Sequence, residues 1–139
     1  MEFILETNAS SKEVRLVIVA VISILRRLVK EDVLYDVEIA LSEACTNVVI
    51  HAYKGDIDSR DKKIRIKLEI DKKKGILLEV IDWGKQFILP QNLPDHDAES
   101  GRGIYIIRKV MDKFYYKRVE ERNHILMYKK MEAEQWKMS

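Results

Sequence analysis

The sequence predicts an α+β fold, a two-layer α/β sandwich whose mixed, mostly antiparallel sheet carries its helices on one face. Three observations predict it. The strand patterns come as hairpins, 64–70 with 76–81 and 114–119 with 125–130. The two long helical patterns, 10–30 and 34–53, follow one another without a strand between them. Ile64, Ile66, Leu68 and Ile70 alternate with charged residues, which marks a strand with one buried face. Grouped helices and paired strands argue against a doubly wound sheet, where the two would alternate.

The elements follow in order. Phe3, Ile4 and Leu5 predict a short first strand. Ser10 and Glu13 have the spacing of a capping box and open a helix with Val14, Val17, Ile18, Val21, Leu25 and Leu28 at helical intervals. Glu31-Asp32 interrupts that pattern, and a second helix runs over 34–53. Residues 54–62 are polar and contain Gly55, so they read as a loop. Residues 71–75 read as a hairpin turn leading into the apolar strand 76–81, expected at the sheet centre with Asp82 at its end. Residues 84–100 form the longest irregular stretch, of a length typical of lids and binding loops. A helix over 103–112, a closing hairpin and a tail over 131–139, read as a frayed helix, complete the order β-α-α-β-β-lid-α-β-β.

Composition bounds the classes open to the chain. Its 139 residues suit one domain over 1–139, with 131–139 as a flexible tail. A formal charge of +2 with interspersed lysine and glutamate gives no concentrated basic face for nucleic acid. Lys72-Lys73-Lys74 reads as a solvated turn. The single cysteine, Cys45, cannot form an intrachain disulfide and reads as a small buried residue, which suits a reducing, cytoplasmic compartment. No signal peptide is expected, since Met1-Glu2 lacks a basic region. The apolar run 16–25 is ten residues long, half the length of a membrane span of about 20. It reads as a buried helix or one that packs on a second subunit.

The chemistry concentrates in the second helix. Glu43, Asn47 and His51 fall at i, i+4 and i+8 and form one polar stripe, while Val37, Leu41, Cys45, Val48 and Ala52 form an apolar one. A carboxylate beside an amide oxygen suits holding a hard cation and steering a proton. Asp82-Trp83-Gly84 and Gly101-Arg102-Gly103-Ile104 add a strand-end carboxylate and a glycine pair before a helix, whose N–H groups can receive phosphate. Together they suggest an ATP site. Singly, each has a plainer reading: a solvated helix carboxylate, a local hydrogen-bonder, a common turn, a hinge.

These residues carry a family resemblance. Glu43-Ala44-x-x-Asn47 with His51-Ala52-Tyr53 resembles the N box of the GHKL ATPases, Asp82-x-Gly84 their G1 box, and Gly101-x-Gly103-Ile104 their G2 box. Leu41-Ser42-Glu43-Ala44, His51-Ala52-Tyr53, Ile107-Arg108 and Met111-Asp112 are most similar to the bacterial anti-sigma factor serine/threonine-protein kinases. The resemblance spans about residues 3–130. It implies the Bergerat fold, ATP with Mg²⁺ under a mobile lid, a homodimer, and two partners. These are a sigma factor that the protein sequesters and a STAS-type anti-anti-sigma protein that it phosphorylates on serine. No direct contact with nucleic acid or membrane is implied.

Residue by residue, the resemblance makes Glu43 the catalytic group that orients or deprotonates the incoming hydroxyl. Asn47 becomes the Mg²⁺ ligand, and Asp82 the acceptor for the adenine amino group. Gly84 admits the base, and Gly101, Arg102, Gly103 and Ile104 receive the phosphates. Arg15, one turn into helix one, senses a partner's phosphoserine or the nucleotide phosphates; solvation explains it equally well. His51 is expected to make a structural hydrogen bond. Trp83 either covers the base or packs, and Arg102 and Arg108 either reach phosphate or are plain helix charges.

The chain departs from the pattern at three places. Lys85-Gln86-Phe87 follows G1 where the wider superfamily has a second glycine, and the lid is short. Asn123-His124 stands where the family has Gly-Thr, removing a hydroxyl near the base; His124 is the candidate substitute. The leading expectation is an anti-sigma protein-serine kinase. The alternative is a non-catalytic, nucleotide-sensing partner-switching module, with a stand-alone histidine-kinase-type fragment third.

Overall fold

Strict alternation of side chains up and down the pleat decides which residues of this chain meet the helices. The computed structural model describes residues 1–53, 62–86 and 102–137. Its five strands are β1 (Glu2–Asn8), β2 (Lys63–Asp71), β3 (Gly75–Asp82), β4 (Lys113–Val119) and β5 (Arg122–Lys129). They form a sheet in the order β1-β2-β3-β5-β4, with every neighbouring pair antiparallel. The strand expected at the centre, β3, is the central one.

The helices are α1 (Ser11–Arg26), α2 (Glu31–Asn47) and α3 (Arg102–Val110). Ile64, Ile66, Leu68, Ile76, Leu78, Val80, Ile125 and Met127 point to the helix side and are buried against Val37, Leu41, Cys45 and Ile107. On the other face lie Arg65, Lys67, Glu79 and His124. The expected α+β sandwich with a sheet covered on one face is what forms. Every residue of the apolar stripe read on α2 is buried: Val37, Leu41, Cys45, Val48 and Ala52.

Several boundaries shift for identifiable reasons. Ser10 caps α1 by accepting from the Glu13 N–H at 3.2 Å, as read. The reciprocal half of the box differs, because the Glu13 carboxylate takes the Thr7 hydroxyl at 3.4 Å. α1 stops at Arg26, four residues early, because Val29 is drawn into a bridge with Trp136. Glu31 and Asp32 open α2 instead of interrupting a pattern, since acidic residues suit a helix N-terminus. Over its described residues the tail forms a 3₁₀ turn, Ala133–Gln135, in place of a frayed helix. It is tied to the α1–α2 junction by Lys30 N–H to the Gln135 carbonyl at 2.9 Å and Lys137 N–H to the Leu28 carbonyl at 2.8 Å.

The largest local departure lies at the end of the second helix. α2 ends at Asn47 and continues as a π turn, Val48–Ala52. A π turn widens the helix by one residue per turn, so His51 leaves the stripe that an uninterrupted α-helix would give it. His51 is exposed there. The buried Tyr53 makes the structural hydrogen bonds, donating to the Lys63 carbonyl at 2.5 Å and accepting from the Trp83 N–H at 3.1 Å.

Candidate functional site

One row of side chains crosses the covered face at the end where β3 finishes. Register pairs Thr7 with Ile64, Ile64 with Asp82, Asp82 with Asn123, and Asn123 with Arg118. The apolar core therefore ends in polar groups beneath the C-terminal end of α2.

Asp82 is fully buried. Its Oδ1 accepts from the Gly84 N–H at 2.8 Å and from the Asn123 Nδ2 at 2.8 Å. Its Oδ2 is buried with no hydrogen-bond partner among the described residues. Burial pushes the carboxyl up to about 6 from 3.8, against the pull of the Asn123 and Gly84 hydrogen bonds and of Arg118. A buried acceptor left open calls for an explanation, and an N–H of a ligand supplies one.

Gly84 is held by the π turn. A Cβ there would lie 2.3 Å from the Ala52 carbonyl oxygen, so only glycine permits this approach. The Lys85 N–H donates to that same oxygen at 2.7 Å, and Arg118 Nη1 donates to the Gly84 carbonyl at 2.6 Å. The close approach at Gly84 is thus made by the protein's own backbone, with the π turn supplying the carbonyl.

The second half of the site lies between α2 and α3. A Cβ on Gly103 would lie 2.8 Å from Glu43 Oε2 and 3.7 Å from both Asn47 side-chain polar atoms. The first turn of α3 therefore rests directly on the polar stripe of α2. Glu43 and Asn47 are half-buried, Ile104 anchors the turn in the core, and Arg102 is exposed. Gly101 lies outside the described residues, as do Phe87 and all but the first residues of the lid. Among the described residues, no group of three or more His, Cys, Asp or Glu could enclose a metal. Asn47, beside the Gly103 turn, offers an amide oxygen of the kind a hard cation accepts.

Other residues read from sequence are placed elsewhere. Arg15 is exposed and lines a groove between α1 and α2, with Ile18, Glu38, Cys45, Thr46 and Ile50. It does not adjoin Asp82 or Gly103. The Arg65 guanidinium lies 5.2 Å from the centre of the Trp83 ring, a packing contact. The Arg108 guanidinium lies 5.3 Å from the Phe114 ring centre. The Cys45 thiol is buried and pushed up to about 12 by desolvation, which suits an inert core residue.

His124 is a correction. It cannot stand in for a hydroxyl near the base, because one step along β5 reverses the pleat and puts it on the open face. There its Nδ1 lies 3.3 Å from Glu79 Oε2. The residue that reaches Asp82 is Asn123, read only as part of a departure. Its signal was the antiparallel register, which places it directly opposite Asp82. Tyr116 and Arg118 were not read at all. They lie on β4, whose alternation carries no motif.

Residues 5–129 match the family model described as histidine kinase-like ATPase domain. The chain is 32% identical over 95 residues to serine-protein kinase RsbW of Bacillus licheniformis, covering 60% of this chain and 57% of that protein. It is 34% identical over 95 residues to the RsbW of Bacillus subtilis, covering 59% and 56%. Against the RsbW of Bacillus cereus (strain AH187) it is 33% identical over 115 residues, covering 75% and 68%. The match thus spans a little over half the length of the first two relatives. Among solved structures, the RsbU and RsbW domains of Rv1364c from Mycobacterium tuberculosis match 93% of this chain and 32% of that one, with a TM-score of 0.66. At 14% identity this likeness speaks for the fold alone.

Proposed function

Because the chain belongs to the histidine kinase-like ATPase domain family, we propose that it binds ATP and uses it to phosphorylate serine on a protein partner. The observation that carries this is the pairing of two half-sites on one face. Asp82 offers a buried, unpartnered oxygen at one end, and Glu43 and Asn47 lie under the first turn of α3 at the other. The proteins named serine-protein kinase RsbW support the same reading.

Each part has a physical role in this reading. Asp82 Oδ2 accepts from the exocyclic amine of adenine and rejects guanine, whose 6-oxo group is itself an acceptor. Gly103, Arg102 and Ile104 bring backbone N–H groups of the α3 N-terminus to the phosphates, with Gly101 preceding them. Asn47 contributes an oxygen to Mg²⁺, which neutralises phosphate charge when bound. Glu43 orients the serine hydroxyl and takes its proton. The partner chemistry is that of an anti-sigma factor: a STAS-type anti-anti-sigma protein receives the phosphate and a sigma factor is sequestered. Arg15, away from the nucleotide, suits contact with a partner's phosphoserine. Leu16 and Val19, 64% and 54% exposed on α1, suit a homodimer contact. The chain acts as one ATP-binding domain, and no helix among the described residues is long and apolar enough to cross a membrane.

Glu43→Gln tests the reading. Nucleotide affinity should stay within about threefold while transfer of γ-phosphate to the partner's serine falls about 10² to 10⁴-fold. Undiminished transfer would remove Glu43 from the chemistry. Nucleotide-dependent partner binding without any transfer by the wild type would instead establish the sensing module.

A further inference from the structure

Asn123 is buried completely, and all four hydrogen-bonding valences of its amide are used. Nδ2 donates to Asp82 Oδ1 at 2.8 Å and to the Lys85 carbonyl at 2.7 Å. Oδ1 accepts from the Tyr116 hydroxyl at 2.5 Å and from Arg118 Nη1 at 3.0 Å. The network fixes which way the amide points. Turned over, its oxygen would face the Asp82 carboxylate and its amino group would face the Arg118 guanidinium, both repulsive.

We propose that Asn123 is a positioning residue for base selection: it locks the Asp82 carboxylate so that Oδ2 alone is presented to the base, and it makes no contact with the base itself. This rests on the nucleotide reading above and deepens it. A threonine hydroxyl introduced here, as in Asn123→Thr, has one donor and two lone pairs. After binding Asp82 it keeps capacity for the ligand. The saturated amide keeps none. Base choice in this chain therefore passes through a single oxygen, and the departure at Asn123 rebuilds the support for that oxygen from β4. Arg118 ties the same network to the Gly84 carbonyl, so the carboxylate and the strand exit that follows it are held as one unit.

The test is calorimetric titration of ADP and of inosine diphosphate, which lacks the exocyclic amine, into the wild type, Asn123→Ala and Asn123→Thr. The wild type should prefer ADP by at least about 100-fold, since a site built to receive an N–H rejects the analogue without it. Asn123→Ala should lose at least tenfold of that preference, and Asn123→Thr, which keeps one donor, should fall between. A second readout needs no nucleotide. The Asp82 carboxyl, followed by carbon NMR, should titrate above the wild-type value of about 6 in Asn123→Ala, because a hydrogen bond that favours the charged form is gone. If Asn123→Ala does not fold, Asn123→Thr carries both readouts. A wild-type protein that selects ADP, with an unchanged preference and an unchanged Asp82 titration in the variants, overturns the positioning role and leaves the nucleotide reading intact. A wild type that binds neither nucleotide overturns both.

Discussion

The two faces of the sheet each hold a carboxylate on β3 beside a residue of β5, and they treat it in opposite ways. On the covered face, Asp82 meets the neutral amide of Asn123, is fully buried, and keeps one oxygen without a partner among the described residues. On the open face, Glu79 meets His124 at 3.3 Å and Lys67 at 3.9 Å, near solvent. A carboxylate answered by an imidazole and a lysine is finished as a structural group. One answered by an amide carries an unspent acceptor, and its burial is a cost that folding accepts. That contrast is why the proposed nucleotide site is built on Asp82 and not on Glu79, and consecutive residues, Asn123 and His124, supply the two environments.

The strongest way to break the comparison is Asp82→Asn. Adenine nucleotide binding should disappear, at least 100-fold in affinity, because the acceptor becomes a donor. Stability should move the other way. The native carboxyl titrates at about 6 against 3.8 for the ordinary group, so the folded state binds the proton more tightly. Its destabilising effect is absent below about pH 4, grows as pH rises to 6, and is complete above. Two units correspond to about 3 kcal/mol as an upper bound. Thermal melts should show Asp82→Asn more stable than wild type at pH 7.5 and little different at pH 4. A variant less stable at both would show that the buried charge carries no penalty.

A smaller effect is expected at the support of the same region. Gly84→Ala puts a methyl group within 2.3 Å of a backbone oxygen that cannot swing aside. Denaturant unfolding should register a loss of about 2 kcal/mol. The open face supplies the smallest effect. Glu79→Gln removes a partly exposed ion pair and should cost no more than about 1 kcal/mol, with ADP selectivity unchanged. A change in selectivity there would mean that the two faces are coupled through the sheet.

The fold was legible in the sequence where periodicity was strong. Ile64 to Ile70 and the apolar stripe of α2 gave both the strands and the covered face, because burial acts on the same spacing that the eye reads. Asp82 and Glu43 stood out because their neighbours form motifs. Three things were not legible. The π turn leaves apolar spacing nearly intact while rotating His51 out of its stripe. The role of Asn123 depends on a partner 41 residues away, which only register reveals. Tyr116 and Arg118 look like ordinary residues of an alternating strand, and their function is to support another residue.

The π turn also sets what kind of sequence change the site can absorb. Val48–Ala52 brings one backbone carbonyl, that of Ala52, onto Gly84 and Lys85. A backbone oxygen is present whatever side chain is attached, so point substitutions at exposed positions of the turn, such as Ile50, leave this link in place. A deletion of one residue would remove the wide turn that aims this carbonyl, and a residue inserted in α geometry would displace it by about 1.5 Å along the axis and about 100° around it. At the exposed positions Ile50 and His51, then, the number of residues matters more than their identity. Single-residue insertions and deletions there should inactivate the protein where most exchanges of amino acid do not.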